Sequence, residues 1–386
     1  MTGEAESAKH RFIFIDLYRS AVILLMLEGH VLRTFLTPEI QRSAVFQLHE
    51  FLHGLSAPAF LFGAGLTFVI STRKRWEAYH HWGPPLSRRV RRLLLVFSLG
   101  LALHLPFFSI RKIIIDGTLP DLFQFFQFDV LHCIGIGLLA LHVLVFLFKT
   151  EVRFYGLVLA TIVTVCFLTP LVWDIDFSRF LWPPVAQMFN GYHGSPFPLF
   201  PYLGFLFTGV IVSWEYLIAY EQQREQSFML KLYFLGAVIV FCGMVFDLLP
   251  LRIYPTYNYW FTSPNYFLVR TGSLMILLSL FWYAGKRFSR ASKIYTVLGV
   301  ESLFVYVLHL IVIYGSVINP GLNLQAIIGN TMTVFPSVLI FIVLLFAMLV
   351  FALGWNLLKE RYYGTYRLAQ IVAASVFLIV LFTRDF

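Results

Sequence analysis

Eleven apolar runs of near-spanning length recur along this chain, at residues 12–36, 52–71, 90–108, 129–148, 154–173, 197–214, 228–250, 266–284, 296–316, 334–356 and 367–384. About 20 consecutive apolar residues cross the ~30 Å hydrocarbon core of a bilayer as a helix. Inside that core a segment must satisfy its own backbone hydrogen bonds, which a helix does without help. The expected fold is therefore all-α: a polytopic integral membrane protein of 10–11 transmembrane helices. The third run breaks near Pro106 and the sixth opens with Pro196, Pro198 and Pro201, which helix ends tolerate. With 59% hydrophobic and 13% charged residues, no stretch of domain length reads as water-soluble. Residues 1–11 are expected to form a cytoplasmic segment and 12–386 a single transmembrane domain. The first run carries no small-residue cleavage site and is expected to be retained.

The basic residues divide unevenly between the two ends of the runs. Of 29 Lys and Arg, 20 fall in segments on the amino-terminal side, seven on the other, and Arg19 and Arg270 lie within runs. Cytoplasmic segments carry such an excess, so the amino terminus is expected in the cytoplasm. An odd number of crossings then leaves Phe386 on the far side. The expected location is a bacterial-type inner membrane, and a homo-oligomer is compatible with the sequence. The densest basic segment, expected to be a cytoplasmic loop at 73–92, holds Arg73, Lys74, Arg75, Arg88, Arg89, Arg91 and Arg92. It serves as a topology signal and as an attraction for an anionic small molecule. Because the net charge of +9 sits in such segments, the expected partner is the lipid bilayer and not nucleic acid. Cys133, Cys166 and Cys242 lie in apolar runs without paired spacing, which supports neither a disulfide framework nor a zinc site.

Against this background the first run stands out, because it carries Asp16, Arg19, Glu28 and His30. Ionisable groups at membrane depth are costly and face a polar cavity, a partner or a substrate path. Eleven residues separate Arg19 from His30. At about 100° and about 1.5 Å per residue, both fall on one helix face roughly 16 Å apart. Asp16 shares that face, one turn from Arg19, while Glu28 points the other way. Two readings stand side by side. Asp16 neutralises Arg19 and His30 caps the span at the interface; or the stripe serves a proton relay, substrate conduction or catalysis.

Further polar residues gather toward the end where His30 lies. His30, His132 and His309 belong to three separate runs at similar depth, where they are able to converge. His49 and His53 lie four apart in His-Glu-Phe-Leu-His, one face of a helix, and formally match the HExxH zinc-protease pattern. No third ligand is identifiable, so the expectation is no metal and polar or acceptor-site residues. Asp129 and His132 are spaced i, i+3, which suits an acid orienting an imidazole and equally an Asp favouring a helix amino terminus. Arg270 either snorkels outward or holds an anionic group. His309 makes an interhelical hydrogen bond or takes a chemical role.

Asp16-Leu-Tyr-Arg19 followed by an apolar helix ending in His30 resembles the start of the transmembrane acyltransferase superfamily. That group includes glycan O-acetyltransferases with Arg, ten residues, then His on the first helix. Leu55-Ser-Ala-Pro-Ala-Phe-Leu-Phe-Gly-Ala-Gly-Leu66, Asp129-Val-Leu-His-Cys-Ile-Gly135, Phe197-Pro-Leu-Phe-Pro-Tyr-Leu-Gly204 and Leu298-Gly-Val-Glu-Ser-Leu-Phe-Val-Tyr-Val-Leu-His309 resemble the heparan-α-glucosaminide N-acetyltransferase-like branch. The family places Gly after the Arg, where this chain has Ser20. It also keeps its reactive histidine in the outer loop, where this chain has His49 beyond His30.

The resemblance implies a membrane acyltransferase that uses cytoplasmic acyl-CoA, specifically acetyl-CoA, and a sugar or glycan acceptor reached from the opposite face. It implies catalytic roles for His30, Arg19 and His49, with His30 favoured by the Arg-x10-His match. Asp16, His53, Asp129, His132, Arg270 and His309 become candidates for substrate or cofactor binding. The competing class is a multi-pass transporter of a small anionic or glycan metabolite, with the stripe as gate or proton relay.

Overall fold

The computed structural model describes residues 12–249, 253–254, 258–287 and 293–383. The expected cytoplasmic segment 1–11 lies outside the described residues. The architecture is all-α. The main helices are α1 (Ile13–Phe35), α2 (Ala44–His53), α3 (Ser56–Thr72), α4 (Pro84–Leu103), α5 (Val130–Leu147), α6 (Glu151–Val172) and α7 (Leu199–Glu221). They continue as α8 (Glu225–Asp247), α9 (Pro264–Arg287), α10 (Lys293–Val300), α11 (Ser302–Tyr314), α12 (Val334–Arg361) and α13 (Tyr363–Thr383). Among the described residues eight helical segments are long and apolar enough to cross a membrane, nine if the bent pair α10–α11 is one span. The other two expected runs are α1 and α4, 23 and 20 residues long, each carrying several charges.

Local chemistry sets the boundaries. Asp16 in the first turn of α1 and Arg33 in its last complement the helix dipole. The helix stops at Leu36, where the chain turns extended before Thr37-Pro38, because a residue preceding proline disfavours helical geometry. Two backbone bonds, Thr37 N–H to Met332 O at 3.0 Å and Met332 N–H to Phe35 O at 2.8 Å, fix that end against the start of α12. Pro84 and Pro85 open α4 at positions where the missing N–H is harmless. Arg88, Arg89, Arg91 and Arg92 therefore stand on the first turns of a helix, not in a loop as the sequence suggested.

The packing places α1 at the centre, against α3, α9, α10, α11 and α12. Tyr18, Ile23, Leu27, Val31 and Phe35 are wholly buried along it. Lipid tails are as apolar as leucine, so helix association in a membrane relies on close van der Waals fit and small residues. The contact of α3 with α7 shows this: a Cβ on Gly65 would lie 2.0 Å from Leu206 O, and one on Gly209 2.1 Å from Phe62 O. At the other extreme α13 packs chiefly on α12 and is mostly exposed, as suits a helix in lipid.

Candidate functional site

Arg19 and His30, at the two ends of the charged stripe of α1, each bond a residue of one other helix. Arg19 Nη2 donates to Ser302 Oγ at 2.6 Å, at the start of α11. His30 Nδ1 lies 2.9 Å from the hydroxyl of Tyr314, at the end of α11, and Thr34 Oγ1 donates to the same hydroxyl at 3.0 Å. Helices α1 and α11 thus run side by side, and residues eleven apart on one meet residues twelve apart on the other. Ser20, which replaces the family's glycine, has a specific use. Its Oγ accepts the Gly299 N–H at 2.9 Å, where α10 comes close to α1. Buried Asp16 lies at this crossing, with its carbonyl 2.4 Å from where a Gly299 Cβ would sit. The break between α10 and α11, bent by 76°, falls at Glu301. That buried carboxylate accepts from Lys359 Nζ at 2.9 Å and Asn356 Nδ2 at 3.1 Å.

A cavity of about 370 Å³ runs between α1, α3, α4, α5 and α11. At one end stand Arg89, Arg92, Ser71 and His142, with Arg89 Nη2 donating to Ser71 Oγ. Arg19 and Ser302 lie on its wall, and Val130, Leu131 and Tyr306 are among its lining toward the other end. Three arginines from two helices therefore line one partly open space. On α1 its lining ends at Val22.

Above Val22 the polar residues of the His30 end collect. Glu28, on the opposite side of α1 from the Arg19 stripe, has Oε1 2.6 Å from His49 Nε2. Ser43, capping α2 through the Phe46 N–H at 3.3 Å, sets the start of the helix that carries His49. The rings of His49 and His53 stack at 6.0 Å, and His53 Nδ1 donates to Leu25 O at 3.1 Å. His53 fits only because position 29 is glycine: a Cβ there would lie 1.8 Å from the imidazole. Glu50, the second residue of the HExxH match, is held by Arg33 Nε at 2.8 and 3.0 Å, and its Oε1 also lies 3.7 Å from His49 Nδ1. Arg270 reaches this group, its Nη2 2.7 Å from where a Gly54 Cβ would sit, and it also bonds the Tyr266 hydroxyl.

On the α11 side, the His309 ring lies 5.2 Å from that of His30 and 5.6 Å from that of Tyr306. His309 Nδ1 donates to Val305 O at 2.9 Å, which leaves Nε2 as the available nitrogen. The hydroxyl of Tyr306 faces Asp129. Asp129 caps α5 by accepting the His132 N–H at 3.0 Å. His132 Nδ1 lies 2.8 Å from Asp129 Oδ1 and 3.2 Å from the Asp129 N–H. Nδ1 accepts the amide N–H and so completes a capping box with the Asp129 carboxylate, which leaves the neutral ring's proton on Nε2. The helix-cap reading of Asp129 is thus realised, and its carboxylate also stands beside the His132 imidazole. His104 extends this group, its Nδ1 3.8 Å from Asp129 Oδ2.

The structure therefore brings His30 and His309 together directly. His132 joins them only through Asp129 and Tyr306. Ten buried side-chain polar atoms among the described residues lack a hydrogen-bond partner, and six of them belong to Glu28, His49, Asp129, His132, Arg270 and His309. Buried polar atoms are nearly always paired, so such a concentration marks a functional region. Sequence reasoning missed Tyr306, Tyr314 and Ser302. Tyr306 stands three residues before His309, one helical turn, and that spacing was the available signal.

Helices of this number and apolarity around a cavity lined by arginines define a multi-pass, all-α membrane protein. The family model for the catalytic region of heparan-alpha-glucosaminide N-acetyltransferase matches residues 11–254, more than half of the chain. The chain belongs to that family, a class of membrane acetyltransferases acting on glycans. The match includes α1 to α8, while Arg270, Ser302, Tyr306, His309 and Tyr314 lie beyond it. No individual curated protein matches the chain.

Proposed function

We propose that this protein moves an acetyl group from acetyl-CoA, entering at the Arg19 end, to a sugar or glycan acceptor at the His30 end. The observation that carries the reading is the cavity that holds Arg89 and Arg92 at one end and Arg19 on its wall, and leads toward the orphaned polar cluster. The guanidiniums suit CoA phosphates, which they bind through bidentate, charge-assisted hydrogen bonds. The apolar middle, with Val22, Ala64 and Ile134, suits the pantetheine arm. The positive-inside bias places the arginine end in the cytoplasm, with eleven crossings and the amino terminus on that side. A bacterial-type inner membrane fits that arrangement.

For the chemistry, His49 is favoured over His30 as general base. Glu28 fixes the His49 ring at Nε2, which puts the neutral proton there, while Nδ1 makes no hydrogen bond and has Glu50 Oε1 3.7 Å away. A base held by a third group is the arrangement that acyl transfer uses. His30, by contrast, has Nδ1 engaged by Tyr314. Nδ1 of His49 takes the proton from the acceptor hydroxyl or amine as its oxygen or nitrogen bonds the acetyl carbon. The C–S bond breaks and the CoA thiolate takes up a proton. A ping-pong route through acetyl-His49 would use the same nitrogen. Arg270, His53, His30 and His309 surround the acceptor, and Asp129–His132 faces it from α5.

The test is transfer from radiolabelled acetyl-CoA to a panel of amino sugars and glycans by the purified protein in nanodiscs. Labelled product and released CoA are expected. Neither product nor CoA release across the panel, together with saccharide uptake into proteoliposomes, would establish the transporter instead.

A further inference from the structure

The loops that join α4 to α5 and α6 to α7 build a cap at the His30 end, and the cap holds a second cavity. It measures about 390 Å³ and is lined by Leu119, Pro120, Phe123, Gln124, Gln127 and His193. Its walls are braced. Buried Gln187 donates through Nε2 to Phe123 O at 2.7 Å and to His193 O at 3.3 Å, joining the two loops. Ser195 Oγ donates to Gln187 Oε1 at 2.6 Å and accepts the Phe128 N–H at 3.0 Å. The His193 ring is pinned between Asp176 Oδ1, 2.9 Å from Nε2, and the face of Phe123, stacked at 3.9 Å.

The lining chemistry selects a ligand class. None of the six residues is an Asp, Glu, Lys or Arg, so no permanent charge lines the space for an anion or a cation. Phe123, Leu119 and Pro120 offer a flat apolar wall. Gln124 presents an amide able to donate and accept, Gln127 gives one N–H to Gly194 O and keeps its other N–H and its carbonyl, and the pinned imidazole adds a polar nitrogen at Nδ1. An apolar face opposed by a few paired donors and acceptors matches a neutral sugar ring, which has C–H faces and a rim of hydroxyls. Location adds to this. Gln127 is two residues from Asp129, and the next ring, Phe128, stacks on His132 at 5.6 Å. Helix α5 therefore begins beside the cap cavity and continues as a wall of the arginine-lined one.

We propose that the cap cavity is a subsite for one neutral sugar residue of the acceptor glycan, distinct from the residue that is acetylated. It rests on the acceptor reading above, and the experiment separates the two. Neutral tetrasaccharides, chitotetraose and cellotetraose, are titrated calorimetrically into the full chain in nanodiscs with no acyl donor present. At least one binds saturably. Leu119→Trp, at a position 58% exposed, fills the cavity and weakens binding at least tenfold. Gln124→Ala, also exposed, weakens it several-fold. No saturable binding, or binding unchanged in both variants, overturns the subsite whatever the transfer assay shows. Binding of glycerol 1-phosphate that Leu119→Trp abolishes, without saccharide binding, assigns the cavity to a lipid headgroup and also overturns it. Saccharide binding lost in both variants supports the subsite even if no acetyl group is ever transferred.

Discussion

The carboxylate of Glu28 on α1 lies 2.6 Å from Nε2 of His49 on α2, joining residues 21 apart in sequence. Neither partner makes sense alone. A glutamate this far along a membrane helix needs a partner, and an imidazole needs an orienting group to act as a base.

His49→Ala is accordingly expected to lower kcat/KM for acetyl transfer by about 10²–10⁴-fold, the usual worth of a general base. Glu28→Gln should cost on the order of 10²-fold, and the double variant should be no worse than His49→Ala, because the pair acts as a unit. His30→Ala should retain more activity than His49→Ala. Steady-state kinetics on the four variants checks the order, and a His30→Ala more damaged than His49→Ala would return the role to His30.

Arg19→Ala and Arg92→Ala should each raise KM for acetyl-CoA about 10–100-fold, the loss of one charged hydrogen bond. Their effect on S-acetylpantetheine, which lacks the phosphates, should be much smaller. Equal losses with both donors would place the arginines elsewhere in the mechanism.

The Ser20–Gly299 contact predicts a stability order. Ser20→Ala removes the acceptor of a buried N–H and should destabilise by about 1–3 kcal/mol. Gly299→Ala should cost more, since its Cβ would lie 2.4 Å from Asp16 O and 2.8 Å from Ser20 N, both backbone atoms that cannot step aside. Thermal unfolding in one detergent compares the two variants, and a milder Gly299→Ala would show that α10 can shift.

Asp176, in the cap outside the helices, is held down to about pKa 2, first by the Ser178 hydroxyl and then by His193. A depressed carboxylate stabilises the fold fully above its unfolded pKa, and the contribution fades as pH falls through the folded value. The Tm difference between wild type and Asp176→Asn should therefore be constant above about pH 4 and shrink toward pH 2. Ser178→Ala should move that loss to higher pH. A difference that does not change between pH 5 and pH 2 would refute the assignment.

How much of this was written in the chain can be followed residue by residue. Run length and apolarity marked each helix of spanning length, because a helix crossing lipid satisfies its backbone locally, but not α2 or the break between α10 and α11. Helical periodicity alone placed Arg19 and His30 on one face and turned Glu28 away from it, since the 3.6-residue repeat needs no tertiary information. The Pro84-Pro85 start of α4 was missed because charge suggested a loop while the prolines favoured a helix opening. Only the tertiary structure decided what each face meets. Ser302 and Tyr314, 283 and 284 residues from their partners, and His49, 21 residues from Glu28, are chosen by which helices pack together. Spacing within a helix carries no record of its neighbours. The arginine-lined cavity, shared by five helices, exists only once they are assembled.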